Sequence, residues 1–170
     1  MSHTKKIVLA ALFAALTFCA TFVIKIPTVT GGYVHLGDSL VLVSAWCLGP
    51  LGIIAAALGS ALSDLLGGYP VYILPTFIIK GLMAFVAWGL FKLIKIKNTF
   101  IPRIIGAVVA EIIMILGYYL VESTFLGYGF VGALASVPAN AVQALFGIVS
   151  GVIITEVFFK LSVTKRFLSQ

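Results

Sequence analysis

Charged residues are scarce in this sequence, and acidic residues are the scarcest of them. Asp, Glu, Lys and Arg together make up 9% of the 170 residues, and only 5 residues are acidic. Soluble globular domains carry about 25% charged residues. Because hydrophobic residues make up 62% of the chain, the composition excludes a soluble fold and indicates a protein embedded in the lipid bilayer.

The sequence also lacks the motifs of familiar membrane enzymes. It contains no H-E-x-x-H, no G-x-S-x-G and no paired-carboxylate metal motif on one helix. A phosphate-binding G-x-x-x-x-G-K-[ST] loop is missing too, so any ATP has to be used by another subunit. We therefore expect a chain that is not an enzyme and binds no cofactor or metal.

Cysteines and basic clusters are equally uninformative about metal or nucleic acid. Cys19 and Cys47 lie in apolar segments without a His or Cys at ligand spacing, so we predict buried packing residues. The net charge of +6 does not predict nucleic-acid binding, because the basic residues do not follow an aromatic-studded face. They lie mostly at the ends of apolar segments.

Six apolar segments predict an all-α membrane protein. Six helices of about 20 residues use roughly 120 residues, so a single six-helix domain over residues 1–170 fits the length. We expect an ordered loop over residues 28–35, a Gly-rich connection over residues 122–137, and an interruption of the fourth helix at Pro75. The predicted helices cover residues 7–24, 36–48, 51–66, 71–93, 104–121 and 138–159, and the second and third are the shortest.

The positions of the basic residues predict the topology. Nine of the eleven Lys and Arg residues lie at the N-terminus, between the fourth and fifth helices or at the C-terminus, the last group including Lys165 and Arg166. An even number of spans brings these regions to one side, and the positive-inside rule makes that side the cytoplasm. We therefore predict cytoplasmic termini and three external connections.

Three ionisable residues lie deep within apolar segments: Lys80, Glu111 and Glu156. A charge near the bilayer centre costs roughly 2.5 to 3.5 kcal/mol, so each should line a pocket or have a partner. Lys80 lies about nine residues into the fourth helix and shares a face with Thr76, which predicts a buried partner or a ligand anion.

Polar residues of the last two helices share helical faces. Glu111, Tyr118 and Glu122 follow one stripe of the fifth helix, which predicts a wall of a polar cavity. Asn140 and Gln143 are spaced i, i+3 and present amides to a small polar ligand. Hydrogen bonding between helices is the alternative for these groups. Asp38 fits a cap of the short second helix, an ordinary structural role.

Five segments of the chain carry a recognisable order and spacing. They are Ala10-Ala11-Leu12-Phe13-Ala14-Ala15, Gly32-Tyr33-Val34-His35-Leu36-Gly37-Asp38, Gly49-Pro50-Leu51-Gly52, Gly59-Ser60-Ala61-Leu62-Ser63-Asp64-Leu65-Leu66-Gly67-Gly68-Tyr69-Pro70 and Pro75-Thr76-Phe77-Ile78-Ile79-Lys80-Gly81. Together they resemble the S components of energy-coupling factor (ECF) vitamin transporters. The resemblance covers nearly the whole chain and is greatest to the riboflavin-type branch, which also contains members assigned to pyridoxine-like and hydroxymethylpyrimidine ligands.

The resemblance implies high-affinity binding of a water-soluble vitamin or precursor of the pyridoxine-like, hydroxymethylpyrimidine, riboflavin or pantothenate class. It implies a lid formed by the first loop, a transmembrane coupling subunit, two cytosolic ATPases that use the ATP, and a prokaryotic cell membrane. The coupling subunit is expected to contact Ala10, Ala11, Ala14 and Ala15. Together, the resemblance and the polar stripes give an expected ligand shell of Tyr33, His35, Tyr72, Lys80, Glu111, Tyr118, Asn140 and Gln143.

Two other functions are compatible with parts of the sequence. A stand-alone secondary transporter would use Glu111 to carry a proton, although such carriers are often built from repeats and none is evident here. A membrane enzyme or assembly factor would need a metal or phosphate near Asp64, where the second carboxylate cluster that hard cations require is missing.

Overall fold

The computed structural model describes residues 3–23, 25–28 and 31–160, and these residues form a bundle of helices with one short hairpin. Lys165 and Arg166, on which the topology prediction partly depends, lie outside the described residues. The elements are α1 His3–Phe22, β1 Ile26–Pro27, β2 Tyr33–Val34, α2 Gly37–Leu48, α3 Pro50–Gly67, α4 Ile73–Leu93, α5 Phe100–Leu120, α6 Gly129–Ala133 and α7 Val137–Lys160.

Five helical stretches of the described chain are long and apolar enough to cross a membrane: His3–Phe22, Pro50–Gly67, Pro70–Leu93, Phe100–Phe125 and Gly129–Lys160. Their outward surfaces carry many large apolar side chains, among them Leu62, Ile78 and Phe85. Such surfaces are suited to lipid. The chain is therefore a multi-pass membrane protein.

The short helix α2 lies at the centre of the bundle. It packs against α1, α3, α4 and α7, and Val41, Leu42 and Ala45 on it are fully buried. Its twelve residues extend about 18 Å at 1.5 Å per residue, less than the hydrocarbon thickness. The neighbouring helices supply its apolar surroundings, which explains a segment that is apolar but too short to cross the bilayer alone.

Small residues bring the helix backbones close together around α2. A Cβ atom added at Gly52 would lie 1.9 Å from the Ser44 carbonyl oxygen, and one at Gly59 would lie 2.4 Å from that of Ala14. Any larger residue at either position would force the helices apart. The contacts of α3 with α1 and α2 therefore depend on glycine, as is common for helix pairs in membranes.

Two predicted interruptions are helical in the structure. Pro75 lies in the first turn of α4, where a missing N–H breaks no helical hydrogen bond, so the helix continues through it. The predicted Gly-rich connection forms a π-helix at Val121–Phe125, the helix α6 and a 3₁₀ turn that leads into α7. Gly127 and Gly129 have positive φ angles and confine the actual break to residues 126–128.

The predicted loop over residues 28–35 contains β2, which pairs with β1 as a short antiparallel hairpin. Ile26 pairs with Val34, and Pro27 pairs with Tyr33. The hairpin connects α1 to α2 and lies over one end of the bundle, where it contacts α7.

Cys19 is exposed on α1 and Cys47 is half-buried, and both are free thiols, so the prediction that Cys19 is buried was wrong.

Candidate ligand pocket at the hairpin end of the bundle

A polar pocket lies beneath the hairpin, between the ends of α3, α5 and the π-helix and the beginnings of α4 and α7. Six of the eight residues predicted as ligand-binding line it. The lining residues are Thr28, Gly32, Tyr33, His35, Asp64, Tyr72, Thr76, Tyr118, Glu122, Asn140 and Gln143.

The pocket is contracted in this conformation. The cavity has a volume of only about 30 Å³, enough for about two waters. A heteroaromatic molecule can enter only when the hairpin and the helix ends move apart. Wider grooves elsewhere on the described surface have apolar linings suited to lipid rather than to a polar solute.

Tyr33 connects the hairpin to the end of α3. Its hydroxyl donates to Asp64 Oδ1 at 2.6 Å, and its ring lies 4.6 Å from that of Tyr69. Burial and the Asp64 carboxylate raise the pKa of Tyr33 well above its ordinary value, so the hydroxyl remains a hydrogen-bond donor. Lys25 Nζ lies 4.4 Å from the centre of the same ring, a favourable cation–π distance.

His35 connects the hairpin to α7. Its backbone N–H donates to Gln143 Oε1 at 2.8 Å, and its Nδ1 accepts from the backbone N–H of Gly37 at 2.9 Å. The accepting Nδ1 places the ring proton of the neutral form on Nε2. Burial lowers the pKa of His35 to about 3, so the imidazole is neutral at physiological pH.

Acidification from pH 7 to pH 5 is expected to lower the stability of this arrangement by about 2 kcal/mol. The pKa of His35 is about 3 in the folded protein against an ordinary value of 6.5. The unfolded chain therefore takes up the proton first. Stability is complete above about pH 6.5 and is lost as the pH falls toward 3. Asp38, Lys80 and Lys25 are the charged groups that face the imidazole.

The melting temperatures of the wild type and His35→Gln at pH 7 and pH 5 check this expectation. The variant, which has no imidazole to protonate, should lose most of the pH dependence. An equal decrease in both proteins would assign the effect to another group.

Tyrosines and a carboxylate form the wall of the pocket on α4 and α5. The Tyr72 hydroxyl donates to Glu122 Oε1 at 3.2 Å, and the hydroxyls of Thr76 and Tyr118 are 3.0 Å apart. The Tyr72 and Tyr118 ring centres lie 6.3 Å apart at a tilted angle. Two aromatic faces and several hydroxyls on one wall suit a flat ring with polar substituents.

A buried ion pair lies below the pocket. Lys80 Nζ donates to Asp38 Oδ1, and both side chains are almost completely buried. Gln143 Nε2 donates to Asp38 Oδ2 at 2.6 Å. The prediction of a buried partner for Lys80 is confirmed. The interpretation of Asp38 as a helix cap was wrong, because α2 has no side-chain cap and its first acidic residue points into the core.

Glu111 lies beside this ion pair rather than in the pocket lining. It is 1% exposed, and its carboxyl group lies against that of Asp38. A Cβ atom added at Gly147 would lie 2.4 Å from Glu111 Oε1 and 3.0 Å from Asp38 Cβ, so α7 needs glycine there. Lys80 and Glu111 thus support the floor of the site instead of lining it.

Sequence reasoning did not include Asp64, Glu122, Thr76 and Thr28 in the ligand shell. The stripe of Glu111, Tyr118 and Glu122 contained the signal for Glu122, since the structure turns Tyr118 and Glu122 toward the pocket. The i, i+4 spacing of Thr76 and Lys80 likewise indicated that Thr76 shares the inward face of its helix. Nothing local in the sequence relates Asp64 to Tyr33.

Comparison with known proteins identifies the family. A sequence model described as "ECF-type riboflavin transporter, S component" matches residues 1–160. The chain belongs to this family of ECF transporter S components. The family consists of substrate-binding transporter subunits and not of enzymes, and the ATP of such transporters is used by partner ATPases.

Two further similarities accompany the family match. A solved structure described as the S component of a bacterial ECF transporter aligns with a TM-score of 0.65 over 99% of this chain and 100% of that one, at 24% identity. At that identity the likeness concerns the fold. An uncharacterized protein of Pyrococcus woesei is 36% identical over 133 residues, which are 77% of this chain and 86% of that protein.

The end of this S component opposite the pocket is closed by a second ion pair. Arg103 NH1 donates to Glu156 Oε1, and the guanidinium lies 4.8 and 4.9 Å from the rings of Phe91 and Phe159. Arg103 is 4% exposed. Glu156, predicted from its depth to need a partner or a pocket, therefore has a partner and does not contribute to the ligand site.

The four alanines of α1 divide between two faces of the S component. Ala10 and Ala14 are half-buried and pack with Phe13, Val43 and Ala55 in a small cluster. Ala11 and Ala15 are exposed. The partly buried pair contributes to contacts within the bundle, and the exposed pair presents a smooth surface. The contact of all four alanines with a coupling subunit stays a prediction.

Proposed function

We propose that this S component binds a water-soluble heteroaromatic vitamin or vitamin precursor in the pocket beneath the hairpin. The observation that carries the proposal is the enclosure of one site by three tyrosines, two side-chain amides and a neutral histidine. Aromatic faces supply stacking, and the amides and hydroxyls supply directed hydrogen bonds in surroundings from which water is excluded. The hairpin, attached through Tyr33 and His35, closes the site.

The proposal extends to the transporter. The chain acts as one domain over residues 1–170 that crosses the cell membrane six times, with α2 as the short central pass and both termini in the cytoplasm. It works with a transmembrane coupling subunit and two cytosolic ATPases. Family membership and the five long apolar helices support this arrangement.

The first test is the identity of the ligand. The full chain is purified from cells in detergent, and the small molecules released on denaturation are identified by mass spectrometry. Titration calorimetry with a panel of water-soluble vitamins then measures affinity. We expect one heteroaromatic compound to bind with a Kd below about 1 μM. Failure of every compound to co-purify and to bind would contradict the proposal.

Glu111 favours a second candidate, a proton-coupled carrier that needs no ATPase. A buried carboxyl group within a membrane segment can carry a proton. Reconstitution of the chain alone in liposomes decides between the two. We expect no uptake driven by a proton gradient, and robust accumulation without ATPase subunits would favour the carrier.

Replacement of Ala15 by tryptophan is expected to lower vitamin uptake at least about tenfold while the Kd of the purified S component stays unchanged. Ala15 is exposed on α1, and a large ring there would separate the helix from a coupling subunit. Uptake in cells with the complete transporter and calorimetry of the isolated chain provide the two measurements.

Leu12→Trp, an exchange of one large exposed side chain for another on α1, is the matched control. Ala14→Trp should instead destabilise the bundle, because Ala14 lies on the side of α1 that packs against α3. Normal uptake by Ala15→Trp would show that this face has another neighbour.

A further inference from the structure

The described residues that line the pocket include two carboxylates, Asp64 and Glu122. Asp64 and Glu122 are each 3% exposed, and His35 is neutral. No lysine or arginine occurs among the pocket-lining residues within the described part of the chain. A ligand in this pocket therefore meets two carboxylates and no facing cation.

The two nearest lysines are directed elsewhere. Lys80 Nζ is bound to Asp38 and lies 5.4 Å from the centre of the Tyr118 ring, below the pocket floor. Lys25 Nζ lies among the rings of Phe22, Tyr33 and Tyr69, and it donates to the Ser63 carbonyl at 3.4 Å. Neither ammonium group is placed to receive an anionic group of a ligand.

Asp64 has room for a further donor. Its Oδ1 accepts from Tyr33, and its Oδ2 is buried without a hydrogen bond of standard geometry among the described residues. The Thr76 hydroxyl faces the same carboxylate and also lies 3.0 Å from the Tyr118 hydroxyl. A buried carboxylate oxygen without a donor is costly, and a hydroxyl or amino group of a ligand would remove that cost.

We propose that Asp64 and Glu122 select the charge of the ligand. The S component binds a neutral or cationic heteroaromatic ring with hydroxyl or amino donors, and it rejects carboxylates and phosphate esters of the same size. A negative group close to two carboxylates in a small, largely buried site is strongly repelled. This inference rests on the proposed function, and it excludes carboxylate vitamins of the pantothenate class.

The test uses ligand pairs that differ by one anionic group. Calorimetry of the full chain in detergent compares riboflavin with riboflavin 5′-phosphate and pyridoxine with pyridoxine 5′-phosphate. For the pair that binds, we expect the unphosphorylated compound to bind at least about tenfold more tightly. Asp64→Asn and Glu122→Gln, which keep the shape of each side chain, should each reduce that ratio at least about threefold.

Glu156→Gln is the matched control, since it removes a carboxylate at the opposite end of the bundle and should leave the ratio unchanged. Size-exclusion chromatography verifies that each variant is folded. If one of the two carboxylate variants does not fold, the other still tests the inference.

A phosphate ester that binds as tightly as its alcohol would overturn the charge selection while leaving the proposed function intact. A ratio unchanged by both substitutions would do the same, because the discrimination would then be one of size. Failure of both compounds in every pair, and of the rest of the vitamin panel, would overturn the proposed function and this inference with it.

Discussion

Replacement of Lys80 by methionine is expected to lower the free energy of unfolding by about 3 to 5 kcal/mol. Lys80 is fully buried, and its ammonium group is bound to Asp38. Methionine retains most of the side-chain volume, so the loss is electrostatic: Asp38 stays buried beside Glu111 without a cation. The melting temperature of the purified protein should fall by at least about 6 °C.

A control variant and a double variant accompany this experiment. Lys92→Met, at the exposed end of the same helix, should leave the melting temperature unchanged. The double variant Lys80→Met/Asp38→Asn should recover part of the loss, since it removes the uncompensated charge as well. A single Lys80→Met variant as stable as the wild type would mean that the ion pair is not a stabilising element of the fold.

Replacement of Gln143 by leucine is expected to weaken ligand binding by about 100-fold. The Gln143 amide accepts from the backbone of His35 in the hairpin and donates to Asp38 in α2. Leucine leaves an N–H group and a carboxylate oxygen buried without this partner, at about 1 to 3 kcal/mol each. The hairpin then loses its connection to α7, and the closed pocket is destabilised.

Calorimetry with the ligand identified by mass spectrometry measures this effect. Val142→Leu, on the outward surface of the same helix, is the control and should bind normally. An unchanged Kd for Gln143→Leu would remove the sixth predicted helix from the site and leave the hairpin without its proposed role.

The helices and the neighbourhood of the site were accessible from sequence because both follow local spacing. Apolar runs of fixed length located the long helices, and the i, i+3 and i, i+4 rules brought Tyr118, Asn140 and Gln143 to inward faces. The depth of Lys80 in an apolar segment required a partner, and the structure provides one. In each case a single helix contains all the information needed.

Other features depend on contacts between distant segments. Asp38 and Lys80 are 42 residues apart, and Gln143 and Asp38 are 105 apart, so helical spacing does not reveal these pairs. The glycines of residues 122–137 suggested a connection, yet tertiary packing keeps most of that stretch helical. Ala10 is partly buried and Ala11 is exposed because only one side of α1 packs against α3, which the spacing of the alanines does not reveal.

The Arg103–Glu156 pair has a consequence for the route of a bound molecule. Thr76 in the pocket wall and Phe91 beside Arg103 are fifteen residues apart on one helix, a depth of about 22 Å. Over that depth the interior is filled, by Lys80 and Asp38 first and then by Met83 and Ala87. The pocket is therefore closed toward the Arg103 end, and a molecule bound in it would leave through the opening by which it entered. Under the proposed function, release on the other side of the bilayer would require that opening to change the side it faces.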